Sequence, residues 1–257
     1  MPKLRKSFAT ALVIAMSGTM AHAEPKLAAK DIVIVHGALV DASGWRAVHD
    51  ILSKDGFHVT IVQEPLTSLT EDIEATKRAI DQQEGPVVLV GHSYAGSVIT
   101  DAGADPKVSA LVYVAALQPD TGEASGQLLS KFAAPNDAMR KATNRATPDK
   151  YFFIPAARFH ETYAADLSAA DAQFLADSQQ QLADKALGAP VSVAAWRYKP
   201  SYAILTTQDR VISPELQRWM YQRSGAKVTE VAASHAVFFS QPAAVVRVIE
   251  AAAKQAD

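Results

Sequence analysis

Residues Pro86 to Gly103, PVVLVGHSYAGSVITDAG, decide how the rest of the chain is read. A short apolar, β-branched run from Val87 to Val90 enters Gly91-His92-Ser93-Tyr94-Ala95-Gly96, and a segment of helical periodicity leaves it. The pattern is strand, very tight turn, helix. So sharp a turn holds its central residue in a strained conformation with backbone packed close, and it needs small residues two places before and two places after. Gly91 and Ala95 fill those places around Ser93. A serine held this way projects its hydroxyl from the carboxyl edge of a parallel sheet. The N–H of Tyr94 then falls at a helix start, where developing negative charge is favoured. The same pentapeptide also suits an ordinary crossover whose serine caps the helix, so its surroundings must decide.

Upstream, the apolar run Asp31 to Val35 ends in His36-Gly37-Ala38; downstream, one strand pattern ends near Asp209 and a later one reaches His235. A serine hydroxyl is a poor nucleophile unless a base takes its proton, and His235 is the histidine placed for that. The imidazole in turn needs a buried carboxylate to fix its tautomer, and Asp209 lies just past a strand on the same sheet edge. Asp120, shortly after the Val108 to Ala115 strand, is the second candidate acid. The chain order serine, aspartate, histidine is that of the α/β-hydrolase arrangement. An oxyanion hole needs two converging N–H groups; Tyr94 offers one and Ala38, after His36-Gly37, the other. His36 and His92 are read as structural, His49 and His58 as surface residues, and His160 as structural or exposed. No pair of histidines has metal-ligand spacing, and the chemistry calls for no metal or organic cofactor.

Periodicity extends this pattern along the chain. Helices are expected at Ser43 to Lys54, Thr70 to Gln83 (capped by Ser68 or Thr70), Pro214 to Arg223 and Gln241 to Lys254. Strands are expected at Phe57 to Val62, Tyr202 to Thr206 and Lys227 to Val231. Such alternation marks a doubly wound, mostly parallel sheet. It stops between Gln118 and about Pro200, where Phe132, Tyr151, Phe152, Phe153, Phe159, Tyr163, Phe174 and Trp196 accompany a helix expected from Ala169 to Ala186. This reads as a helical cap inserted after the strand ending near Ala115, most of its aromatics forming its own core and two or three facing a ligand.

The 257 residues, 49% apolar and 20% charged, suit one domain with a sizeable core. Residues 1–23 read instead as a signal peptide: Lys3, Arg5 and Lys6 precede the apolar Phe8 to Met16, and Ala21-His22-Ala23 gives a cleavage pattern. Cleavage after Ala23 would leave residues 24–257 as the hydrolase domain, periplasmic or secreted, with no membrane span. The remainder carries 22 basic and 27 acidic side chains. Without a basic run it is not expected to bind nucleic acid. The absence of cysteine excludes disulfides and thiolate metal sites.

With these residues in hand, the chain resembles the plant methylesterase and hydroxynitrile lyase family of the α/β-hydrolase superfamily, and its secreted bacterial relatives. The resemblance rests on VIVHGALVDASGWRAV, PVVLVGHSYAGSVIT, LVYVAALQPDTGE, TTQDRVISPELQRWM and ASHAVFFSQP. It implies an α/β-hydrolase fold with Ser93, Asp209 and His235 as nucleophile, acid and base, and Ala38 and Tyr94 as oxyanion donors. Ala95 departs from the glycine usual in the family's elbow. Lyases of the family carry lysine after the catalytic histidine and threonine after the first-loop histidine; here those positions are Ala236 and Gly37. The expected activity is therefore hydrolysis of a small carboxylic ester or lactone through an acyl-enzyme. The alternatives are a cofactor-free lyase or oxygenase using the His-Asp pair, and a ligand-binding protein without turnover.

Overall fold

The computed structural model describes residues 29–132, 144–145 and 149–255; residues 1–23, read above as a leader, lie outside them. Six parallel strands form the central sheet: β1 (Asp31–Val35), β2 (His58–Val62), β3 (Val87–His92), β4 (Val108–Val114), β8 (Ser201–Thr206) and β9 (Lys227–Val231), in the order β2-β1-β3-β4-β8-β9. β1 and β3 are buried at every residue, as their unbroken apolar runs require. β2 and β9 close the edges; β2 is mostly half-buried and β9 largely exposed.

The first crossover, through α1 (Arg46–Lys54), steps outward from β1 to β2. The second, through α2 (Leu69–Asp81), steps back across β1 to β3. Right-handed crossovers in opposite directions put these helices on opposite faces. There α1 packs with helix Pro242–Lys254 and α2 with α3 (Ala95–Ala102). α3 has every residue buried, so the elbow leads straight into the core.

One helix start differs from expectation, and another selects between the two caps expected. Asp41 accepts from the Ser43 amide at 2.9 Å and tightens Ala42–Trp45 into a 3-10 turn, so α-helical geometry begins only at Arg46. For α2 the cap is Ser68, whose side chain accepts from the Glu71 amide while its hydroxyl donates to the Glu71 carboxylate.

The residues between β4 and β8, expected from sequence to form a helical cap, add a small sheet to their helices. They carry helices Ser125–Lys131, Ala156–Tyr163, Ala169–Asp177 and Asp184–Gly188 and also an antiparallel sheet of β5 (Asn144–Arg145), β6 (Tyr151–Phe153) and β7 (Leu182–Ala183). The helix expected over Ala169 to Ala186 ends at Asp177. Gln179 leaves the helical path to hold both the N–H and C=O of Ile154, and the chain enters β7. Phe159, Tyr163 and Trp196 are buried, whereas Phe174 is 48% exposed and belongs to no core. Among the described residues no helix is long and apolar enough to cross a membrane.

Candidate active site

β3 delivers Ser93 into a left-handed conformation, φ 56°. For a residue with a Cβ this costs about 1–2 kcal/mol, which the surroundings must impose. They do so through backbone hydrogen bonds: the Ser93 N–H donates to Val114 at 3.3 Å, and its carbonyl accepts from Leu117 at 3.0 Å and Gly96 at 3.1 Å. Tight packing explains the glycines. A Cβ on Gly91 would meet the Ala95 carbonyl at 2.8 Å, and one on Gly96 would lie 1.9 Å from the Leu117 carbonyl oxygen. Gly96 is thus the tightest of these positions, while the departing Ala95 is accommodated fully buried.

The Ser93 Oγ lies 2.8 Å from His235 Nε2, and His235 Nδ1 lies 2.7 Å from Asp209 Oδ2. Histidine and aspartate side chains are both completely buried. A carboxylate accepts, so Nδ1 carries the ring proton and Nε2 is free to accept from the hydroxyl. Asp209 is heavily supplied with donors: Oδ1 takes the amides of Val211 and Ile212, and Oδ2 takes the Thr206 hydroxyl and Gln217 Nε2. Gln217 also donates to the Ile212 carbonyl and accepts from the Thr206 amide. Sequence reasoning missed this residue; its only signal is a polar side chain on a helix face turned to the core.

Asp120, the second candidate acid, is not in this relay. It pairs with Arg197 at the surface, and that guanidinium holds its carboxyl below the usual range. His160 donates to the Leu167 carbonyl, His49 bonds to the exposed Asp50, and the exposed His58 bonds to the buried Asp31. His92 donates through Nε2 to the carbonyl of His235 itself, and burial drives its pKa well below the ordinary value. It is a neutral buttress beneath His235.

His36 is neutral for the same reason, its pKa lowered by burial. Its Nε2 accepts from the Glu64 amide, which leaves Nδ1–H to donate to the Gly37 carbonyl at 2.9 Å. In a trans peptide the N–H points opposite the C=O, so this bond aims the Ala38 N–H away from His36. The loop passes so near the elbow that a Cβ on Gly37 would lie 2.8 Å from the Ser93 Cβ. Among the described residues neither the Ala38 amide nor the Tyr94 amide has a hydrogen-bond acceptor.

Behind the elbow lies an acidic cluster without a counterpart in the sequence analysis. The Tyr94 hydroxyl donates to Asp72 at 2.8 Å, and Asp72 also takes the Leu66 amide. Glu64 is buried beside them with both carboxyl oxygens unpartnered among the described residues. Burial pushes Glu64 well above the carboxylate range and Asp72 up to about 6. A carboxyl whose folded pKa is raised contributes stability that is complete below its unfolded pKa and lost as pH rises through the folded value. Asp72→Asn is therefore expected to gain stability over the parent progressively between about pH 4 and pH 7. Melting temperatures of both proteins across that range check this; a difference constant with pH would refute it.

The model of the alpha/beta hydrolase family matches residues 32–248. Among curated proteins the chain is 28% identical to the Arabidopsis thaliana protein named methylesterase 11, over 83% of this chain and 61% of that protein; it spans about three fifths of that relative's length. It is 27% identical to the alpha/beta hydrolase nvfD of Aspergillus novofumigatus, covering 88% of this chain and 97% of that one. A solved structure, the pyrethroid hydrolase of Sphingobium faniae, superposes with a TM-score of 0.75 at 20% identity, over 88% of this chain and 98% of that chain. With six parallel strands, a serine elbow after β3 and this family match over most of its length, the chain belongs to the alpha/beta hydrolase family.

Proposed function

We propose that the protein is a serine hydrolase that cleaves a small carboxylic ester or lactone through an acyl-enzyme on Ser93. The observation that carries the reading is the buried line Asp209, His235, Ser93, with contacts of 2.7 and 2.8 Å, ending on a hydroxyl in a strained turn. In the proposed reaction His235 Nε2 takes the Ser93 proton as Oγ attacks the carbonyl carbon. Asp209 stabilises the imidazolium, and the proton passes to the departing alcohol. Water, deprotonated by the same nitrogen, then releases the acid. The amides of Ala38 and Tyr94 are the proposed donors to the oxyanion of both tetrahedral intermediates. Relatives named as a methylesterase and a pyrethroid hydrolase support ester substrates. Residues 1–23 are proposed as a cleaved export signal, giving a periplasmic or secreted enzyme.

The test is pre-steady-state kinetics on p-nitrophenyl esters of increasing acyl length, with mass analysis of the acid-quenched protein. A burst of p-nitrophenol approaching one equivalent, with an acyl mass increment on the peptide containing Ser93, is the expected result. Turnover of these esters that Ser93→Ala leaves undiminished would reject the covalent mechanism.

A further inference from the structure

Tyr163 ends helix Ala156–Tyr163 in the insertion between β4 and β8, and it touches two parts of the candidate site at once. Its ring, 1% exposed, stands edge-on to His235 with centroids 4.7 Å apart and planes at 87°. Its hydroxyl donates to the carbonyl of Ala38 at 3.2 Å. The N–H at the other end of that peptide group, Leu39, donates to the carbonyl of Gln180 at 3.2 Å. One peptide plane is thus held at both ends by the insertion. Gln180 is fixed in its turn, its side chain donating to the carbonyls of Glu64 at 2.8 Å and Pro65 at 3.1 Å. Leu39 needs such restraint, because at φ 64° it occupies the left-handed region that leucine avoids.

We propose that Tyr163 is a positioning residue for the oxyanion hole, setting the direction of the Ala38 N–H by pinning the following peptide, with Gln180 as its partner clamp. The proposal rests on the serine-hydrolase reading above. His36 fixes the plane before Ala38, and Tyr163 with Gln180 fixes the plane after it. The two restraints together leave the Ala38 amide one direction. The insertion then contributes to the rate of the chemical step and not only to enclosing a substrate. A donor displaced by a fraction of an ångström loses much of its value, because the oxyanion is stabilised by groups that are already in place.

Tyr163→Phe removes the hydroxyl and keeps the ring against His235. For the p-nitrophenyl ester giving the largest burst, kcat is expected to fall about ten- to a hundredfold with KM changed less than about threefold. Inhibition by a phenyl trifluoromethyl ketone, whose adduct carries the oxyanion, should weaken by a similar factor. The pKa of the kcat/KM profile should stay where it is, since the ring remains beside the base. Gln180→Met, which keeps length and loses the donor, should move kcat and the ketone in the same direction, and it decides the matter if Tyr163→Phe does not fold. A burst in the parent with kcat and ketone inhibition unchanged in a folded variant overturns this proposal alone. So does a loss confined to KM or a shifted pH profile. Turnover kept by Ser93→Ala at the parent's rate rejects the serine reading, and this proposal with it.

Discussion

Ser93→Ala is expected to lower kcat on p-nitrophenyl esters by about a millionfold, to a residue of rate that owes nothing to covalent chemistry. The size follows from how the site acts as a unit. In the proposed mechanism, removing the hydroxyl leaves His235 and Asp209 no nucleophile to activate, and leaves the amides of Ala38 and Tyr94 to polarise a carbonyl that only water attacks. Alanine has the same Cβ as serine and is held at φ 56° by the same backbone bonds, so the strain is unchanged and stability should move little. Activity and melting temperature are measured on the same preparation. A variant retaining more than about a hundredth of the parent's kcat would show that Ser93 is not the nucleophile on these esters.

The largest effect on folding is expected at Gly96→Ala. Its new methyl would sit 1.9 Å from the Leu117 carbonyl oxygen and 2.9 Å from the Ala116 Cβ. Neither neighbour is free to retreat. The Leu117 amide is bonded to the Ser93 carbonyl, and Ala116 is gripped at both its amide and its carbonyl by the buried Tyr221 hydroxyl. Either the elbow opens or the β4 end shifts, at a cost of about 3 kcal/mol or more. For a chain of this size that corresponds to a melting temperature lower by about 10 °C. Thermal denaturation of the purified variant reads it, and a loss under about 2 °C would mean the turn can relax around the methyl.

The sheet was legible in the sequence because both of its signals are local. Runs such as Asp31–Val35 and Val87–Val90 are apolar without interruption, and the turn after each is spelled in small residues. Ser93, His235 and Asp209 could be named from chain order and strand ends, and the structure brings these three together. Gln217 and the Glu64–Asp72 pair were not named, and Tyr163 was named only as one of the insertion's aromatics, since what marks them is a partner distant in the chain. The hydroxyl of Tyr163 meets a carbonyl 125 residues away. The missed end of helix Ala169–Asp177 has the same origin. Glutamines favour helix as well as most residues do, and only the demand of Ile154 for a partner turns Gln179 out of it.

The hydroxyl of Ser93 and the imidazole that activates it in the proposed reaction are 142 residues apart, on loops following β3 and β9. Between those strands lie β4 and β8, so three strand pairings must all be in register before base and hydroxyl meet. A slip of one residue in any of them, about 3.3 Å, would part a contact of 2.8 Å. In the proposed reaction, reactivity at Ser93 is in that sense a census of four of the sheet's six strands. On that mechanism a nascent or partly assembled chain would carry an inert alcohol, and the molecule would become a reagent only when these long-range contacts close.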